Sequence, residues 1–352
     1  MWFVLGRAHG ALDRHADAEV AFRRAAELRP TMREAQLNLA FSLVYQGRFR
    51  EAIAAFVAAR EMSPGDRSAN DVLMFAVLSA LQDDSAANPA ASLKLGPLSP
   101  NPLVSVIMPT RDRPDMLRDA LASVMRQTYV NWEVILVNDG GQDVSAVLAT
   151  LPAGAASRIT GLESRMPQGV ARARNNALRV ARGEVIAFLD DDDLFLPEHL
   201  DTLVAGMRGS GAGFAYTRSV GVEERITNGA RVEVRRGTPL EYRYSRSLLL
   251  VRNMIPTANW GVRRECLESC GEFDDTLACA EDWDMLLRLS ALVPFHLIPA
   301  ITAEIRARPG AVDSVTRRVP LRPTCELLYQ RYPSNGNELI ELGRGIYMQS
   351  VS

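Results

Sequence analysis

Residues 185–189 read Val-Ile-Ala-Phe-Leu and run straight into four consecutive carboxylates, Asp190, Asp191, Asp192 and Asp193. An unbroken apolar run of this length is a strand buried on both faces. The acidic residues fall where that strand ends, and Pro197-Glu198 opens the next helix. Four like charges side by side need a cation or solvent to screen them. Alternate side chains of extended backbone share a direction, so Asp190 and Asp192 face one place. Oxygen-only ligands of this kind suit Mg²⁺ or Mn²⁺, bound together with a substrate phosphate. An acidic loop that merely caps a helix is the competing reading.

The 352 residues are too many for one small core and suit two domains. A net charge of −2 gives no reason to expect nucleic acid. No apolar run approaches the ~20 residues that span a bilayer, and residues 1–7 lack the basic leader and apolar core of a signal peptide. The four cysteines, Cys266, Cys270, Cys279 and Cys325, form no Cys-x-x-Cys pair and read as free structural thiols of a reducing compartment.

The first eighty residues repeat. Ala18, Phe22, Ala25 and Pro30 recur 34 residues later as Ala52, Phe56, Ala59 and Pro64, and Leu5 keeps the same offset from Leu39. Small residues let paired helices approach, and each proline ends a second helix. Gly47 marks one inter-helix turn and Asp13 the matching turn of the first copy. Residues 69–81 read as a further helix closing the stack. Residues 83–102 hold Pro89, Pro97, Pro100 and Pro102 with no apolar period, which predicts a linker.

From residue 103 strands and helices alternate. Strands are expected at 103–108, 132–137, 158–162, 184–189 and 213–220. Helices are expected at 114–127, 142–151, 168–182, 197–208 and 281–292. Such alternation predicts a mostly parallel sheet with helices on both faces. The first turns contain no Gly-x-Gly-x-x-Gly and no phosphate-binding Gly-Lys loop, which argues against a dinucleotide fold and a P-loop ATPase. They contain instead Pro109-Thr110-Arg111-Asp112-Arg113 and Asn138-Asp139-Gly140, at the same sheet edge as the Asp run. Asp139 suits a nucleobase edge, and Arg111 or Arg113 a phosphate.

These segments resemble a family 2 glycosyltransferase of the GT-A fold. The matching stretches are Val-Ser-Val-Ile-Met-Pro-Thr-Arg-Asp-Arg at 104–113, Arg-Gln-Thr-Tyr at 126–129 and Trp-Glu-Val-Ile-Leu-Val-Asn-Asp-Gly at 132–140. Further on come Gly-Val-Ala-Arg-Ala-Arg-Asn-Asn-Ala at 169–177, the strand and Asp run at 183–193, and Ala-Glu-Asp-Trp-Asp at 280–284. Each is weak alone; six in this order are specific. The repeats at 1–82 lie outside this resemblance and resemble tetratricopeptide repeats. The expected organisation is therefore an all-α repeat segment at 1–82, a linker at 83–102, an α/β GT-A domain at 103–318 and a tail at 319–352.

The resemblance implies an inverting, metal-dependent transfer of a sugar from a nucleotide-diphosphate donor, UDP foremost, to an acceptor hydroxyl. It implies that Pro109, Thr110, Arg111, Asp139, Asp190 and Asp191 hold the nucleotide sugar. Asp192 with Asp190 would hold Mn²⁺ or Mg²⁺, and Asp193 would be a turn residue. Asp282 aligns with the general base, and Glu281 would orient its loop. Trp283 is either an acceptor wall or core. Arg174 and Asn175 would orient the acidic loop or touch phosphate; an Arg174 paired to a surface acid is the favoured alternative. Some family members add a histidine ligand after the catalytic helix, but residues 305–310 contain none. His296 reads as structural.

By the same resemblance the acceptor is a glycan, a lipid-linked saccharide or a protein, in bacterial polysaccharide biosynthesis. The repeats offer a surface for a protein partner. The expected location is the cytoplasm, or the inner face of the membrane as a peripheral enzyme. The alternative reading is a repeat-based interaction scaffold whose transferase domain no longer turns over. A nucleotidyltransferase would need a glycine-rich basic loop that 109–113 lacks.

Overall fold

The computed structural model describes residues 1–62, 67–82, 92–152, 154–227, 230–239, 243–308 and 319–351. It forms two compact units. One comprises Met1–Ala87, Ser247–Arg252 and Pro333–Ser352; the other comprises Asn88–Arg246 and Asn253–Tyr332. Among the described residues no helix is long and apolar enough to cross a membrane.

The first unit is helical: α1 (Trp2–Ala11), α2 (His15–Leu28), α3 (Arg33–Tyr45), α4 (Phe49–Glu61) and α5 (Arg67–Gln82), each packed on the next. The repeated positions are its core. Ala18 and Ala52 are fully buried, and Phe22, Phe56, Ala25 and Ala59 are buried with them. Leu39 is buried but Leu5 is exposed, so that pair does not share an environment. Asp13 and Gly47 both adopt the left-handed conformation, at φ +55° and +73°. An aspartate tolerates it at a small cost, which explains how it replaces glycine at the turn.

The expected tail is two helices. The first, α13 (Leu321–Arg331), belongs to the second unit, and α14 (Glu338–Ser350) belongs to the first. Gly343 of α14 lies so close to Val77 of α5 and to Val251 that an added Cβ would stand 3.0–3.2 Å from their methyl groups. Of the expected linker, 83–91 lie outside the described residues. Residues 92–102 are part of the second unit, where the Ser99 N–H donates to Glu184 at 2.9 Å.

The second unit is built on one sheet. Its strands are β1 (Val104–Thr110), β2 (Trp132–Asn138), β3 (Ile159–Glu163), β4 (Val185–Phe188), β5 (Leu194–Phe195), β6 (Phe214–Thr227), β7 (Ala230–Arg236), β8 (Trp260–Arg263) and β9 (Phe295–Ala307). The order is β3-β2-β1-β4-β8-β6-β9-β5, with β7 on β6. Helices α6 (Pro114–Met125), α7 (Ser145–Leu148), α8 (Val170–Val180), α9 (His199–Ser210), α11 (Arg264–Cys270) and α12 (Glu281–Leu292) connect these strands, and a short α10 (Arg246–Leu249) precedes β8.

A mostly parallel sheet was expected, and the sheet is mixed. β3-β2-β1-β4 and β6–β9 pair parallel, whereas β4–β8, β6–β8, β6–β7 and β5–β9 pair antiparallel. The parallel half carries the long apolar strands; every residue of β1, β2 and β4 is buried. Its parallel register puts the carboxyl ends of β1, β2 and β4 along one edge, with Thr110 beside Asn138 and Ile107 beside Phe188. Ligands of open α/β sheets bind at such an edge.

Candidate active site

Three loops leave that edge. After β4 the chain turns through Asp190 to Asp193, closed by the Asp193 N–H donating to the Asp190 carbonyl at 3.1 Å. Thr110, the last residue of β1, donates its hydroxyl to Asp191 Oδ2 at 2.7 Å. Arg113 follows it and caps α6. Its Nη1 donates to Asp191 Oδ1 and Asp192 Oδ2, both at 3.0 Å. Arg308, just past β9, stands 3.7 Å from Asp192. Arg111 is half-exposed and stands 3.7 Å from Asp112. Pro109 is buried within β1.

The aspartates differ in environment. Asp191 is buried, which raises its pKa against the opposing pull of Arg113 and Thr110. Burial, then the charges of Asp191 and Asp190, push Asp192 up to about 6. Asp193 is buried and accepts the Arg306 N–H at 2.9 Å, tying the turn to β9. Asp190 and Asp192 keep 33% and 27% of their side chains exposed. Two partly exposed carboxylates at one turn would suit Mg²⁺ or Mn²⁺ completed by ligand oxygens. Among the described residues no group of three or more acidic, histidine or cysteine side chains forms a complete metal cage.

Asp139 follows β2. Its N–H donates to the Thr110 carbonyl at 2.9 Å, and its carboxylate accepts the N–H groups of Gln168 and Gly169 at 2.9 and 2.8 Å. It thereby fixes the entry to α8 and stays beside Thr110. Gly140 has φ +70°, and an added Cβ would lie 2.6 Å from the Met166 backbone, so only glycine fits the turn.

Helix α8 binds the other half of the site. Arg174 is 2% exposed, not the surface partner favoured above. Its Nη2 donates to Asp190 Oδ1 at 2.7 Å and its Nη1 to Glu281. Asn175 clamps the loop before α12: Nδ2 donates to the Phe273 carbonyl and Oδ1 accepts the Phe273 N–H, each at 2.9 Å. Buried charges need such pairing, and Arg174 gives it to two carboxylates at once.

That loop ends at Ala280, a non-glycine residue at φ +57°. Asp282 sits in the first turn of α12. Its Oδ1 accepts the Trp283 N–H at 2.8 Å. Its Oδ2 accepts Asn253 Nδ2 at 2.8 Å and the Thr257 hydroxyl at 3.4 Å. Burial and the neighbouring Glu281 push Asp282 up to about 6, against the pull of Arg174. Such a carboxylate is ionised at neutral pH yet a stronger base than a solvated aspartate. Trp283 is 2% exposed and packs edge-on against Tyr329 of α13 at 6.0 Å, so it is core. Cys266 and Cys279 are buried free thiols; Cys270 is partly buried.

The structure thus gathers Thr110, Asp190, Asp191, Asp192, Arg174, Glu281 and Asp282 and leaves Arg111 and Trp283 apart. Sequence reasoning missed Asn253, Thr257 and Arg308. None lies in a motif, and Asn253 is 29 residues from its partner.

The glycosyl transferase family 2 model matches residues 105–271. A putative colanic acid biosynthesis glycosyl transferase, WcaA of Escherichia coli K12, is 32% identical over 194 residues, 54% of this chain and 66% of the relative. The Escherichia coli UDP-Glc:alpha-D-GlcNAc-diphosphoundecaprenol beta-1,3-glucosyltransferase WfgD is 35% identical over 114 residues, 32% of this chain and 44% of its own length. The chain therefore spans less than two thirds of these two relatives. Among solved structures, S. aureus TarS 1–349 in complex with UDP-GlcNAc superposes at a TM-score of 0.53 with 17% identity, over 70% of this chain and 72% of that one. The Pyrobaculum calidifontis mannosyltransferase PcManGT, in complex with GDP-Man and Mn²⁺, superposes at 0.50 with 17% identity, over 80% and 85%. At that identity the likeness is one of fold. Residues 105–271 thus match the glycosyl transferase family 2 model, and this match and the relatives are consistent with a transferase.

Proposed function

We propose that the second unit is an inverting glycosyltransferase. It moves a sugar from a nucleotide-diphosphate donor, UDP-linked foremost, to an acceptor hydroxyl in polysaccharide assembly. The observation that carries this reading is Arg174, which ties Asp190 at the donor edge to Glu281 beside Asp282. One buried side chain thereby sets the spacing between leaving group and base.

In this mechanism Thr110 and Asp139 flank the nucleobase, and Asp190 with Asp191 lies against the ribose. Asp282 accepts the proton of the acceptor hydroxyl as its oxygen attacks the anomeric carbon. The bond from that carbon to the diphosphate oxygen breaks on the opposite face, so configuration inverts. A single base with no covalent intermediate is sufficient. Mn²⁺ or Mg²⁺ held by Asp190 and Asp192 would supply Lewis-acid neutralisation of the diphosphate. The relatives named above are assigned to colanic acid biosynthesis and to a diphosphoundecaprenol-linked acceptor. A lipid-linked saccharide is therefore the favoured acceptor class here, met at a membrane surface. The helical unit is read as a tetratricopeptide-type surface for a protein partner.

The test is calorimetric titration with UDP, GDP and dTDP, with and without Mn²⁺, beside Asp192→Ala. Metal-dependent binding of one nucleotide, lost in the variant, supports the donor site and names the base. A folded protein that binds none of the three overturns the reading in favour of an interaction scaffold.

A further inference from the structure

We infer that Asn253 is a positioning residue for Asp282: it fixes the carboxylate's orientation and keeps it ionised at neutral pH. This rests on the reading of Asp282 as the base.

The amide has one possible orientation. Its Oδ1 accepts the Ile255 N–H at 2.9 Å. A backbone N–H only donates, so the atom facing it is the oxygen, and the Nδ2 must point at Asp282 Oδ2, where it donates at 2.8 Å. Ile255 is buried, which anchors the turn carrying Asn253. Thr257, two residues on, adds its hydroxyl to the same oxygen at 3.4 Å. With the Trp283 N–H on Oδ1, three donors from two chain segments hold one carboxylate. These donors restrain rotation about the last side-chain bond.

The groups around Asp282 pull in opposite directions. Burial, Glu281 of its own helix and Asp190 beyond β4 favour the protonated form, whereas Arg174 of α8 and the Trp283 N–H favour the charged form. Cys279, on the loop before α12, is a neutral thiol raised by burial. Donors to a carboxylate stabilise its charged state. Without Asn253 the balance tips toward the proton, and a protonated Asp282 cannot act as a base. Asn253 therefore keeps a partly buried base in its working form without a second full positive charge beside it.

The experiment reads Asp282 directly and needs no donor. The full chain is labelled with ¹³C-aspartate, the Asp282 carboxylate resonance is assigned by its loss in Asp282→Asn, and its pH titration is followed. Asn253→Ala is expected to raise the midpoint by about one pH unit, and Asn253→Asp by more, because it sets a second carboxylate there. Thr257→Val, which removes the longer bond, is expected to give a smaller rise. A purely structural Asn253 would lower the melting temperature and leave the midpoint in place. Unchanged midpoints in folded Asn253→Ala and Asn253→Asp overturn the inference. A protein that shows the shifts yet binds no nucleotide would overturn the transferase reading and leave the Asn253–Asp282 coupling standing.

Discussion

Arg174 and Asp190 are joined at 2.7 Å although one sits on a helix and the other beyond a strand, and the arginine is 2% exposed. The second arm of the same guanidinium reaches Glu281. Removing it leaves two carboxylates facing each other without a partner. Arg174→Met is expected to cost about 3–5 kcal/mol of stability, the range for breaking a buried pair. Arg174→Lys is expected to recover little, since one ammonium cannot donate along two fixed directions. Urea unfolding of the three proteins measures both effects; a loss under about 1 kcal/mol for the methionine variant would show that the bridge is not needed.

Asp192→Asn should separate stability from function. Burial, then the like charges of Asp191 and Asp190, push Asp192 up to about 6. Neutralising it relieves repulsion while removing the proposed cation ligand. The variant is expected to melt at the same temperature or higher and to lose Mn²⁺-dependent nucleotide binding at least tenfold. Sites strained for function behave this way. Differential scanning calorimetry and nucleotide titration on one preparation check both halves.

Asp282 gives a signed pH dependence. Its folded pKa, about 6, is above the ordinary aspartate value of 3.8. Its contribution to stability is therefore fully present below about 3.8 and lost as pH rises through about 6. On the proposed mechanism activity runs the opposite way, because Asp282 would act as a base only when ionised. Transfer is expected to fall about tenfold per unit as pH drops below 6, over the window in which this carboxylate's stability term grows. Asp282→Asn should flatten the difference in unfolding free energy between pH 4.5 and 7.5; a variant that keeps the wild-type slope would remove Asp282 as its source.

Ala280 precedes Glu281 at φ +57°. Left-handed backbone costs a residue with a Cβ about 1–2 kcal/mol, part of which glycine recovers at the expense of its own entropy. Ala280→Gly is expected to raise stability by up to about 1 kcal/mol and to lower turnover by loosening the first turn of α12. Thermal unfolding and single-turnover rates decide it.

The parts of the fold written in contiguous residues were legible. The apolar strand before Asp190 and the 34-residue recurrence of Phe22 and Phe56 each follow from local periodicity. The sheet's mixed polarity was not legible. The four residues of β8, Trp260 to Arg263, are all buried and show no alternation, so nothing local tells their direction. Arg174 read as a surface cation because its partners lie 16 and 107 residues away. Asn253 carries no signal of its own; an asparagine before a proline-containing turn is ordinary until the fold places Asp282 against it.

The helical unit is assembled from three separate stretches of chain, with Gly343 of α14 seated on Val77 of α5. During synthesis α5 leaves the ribosome long before α14 exists. The face of α5 that receives Gly343 stays uncovered while the whole α/β unit is made. Completion of the helical unit thus waits on the α/β unit, and a fragment cut at the apparent linker would leave Val77 without Gly343 rather than yield a finished module.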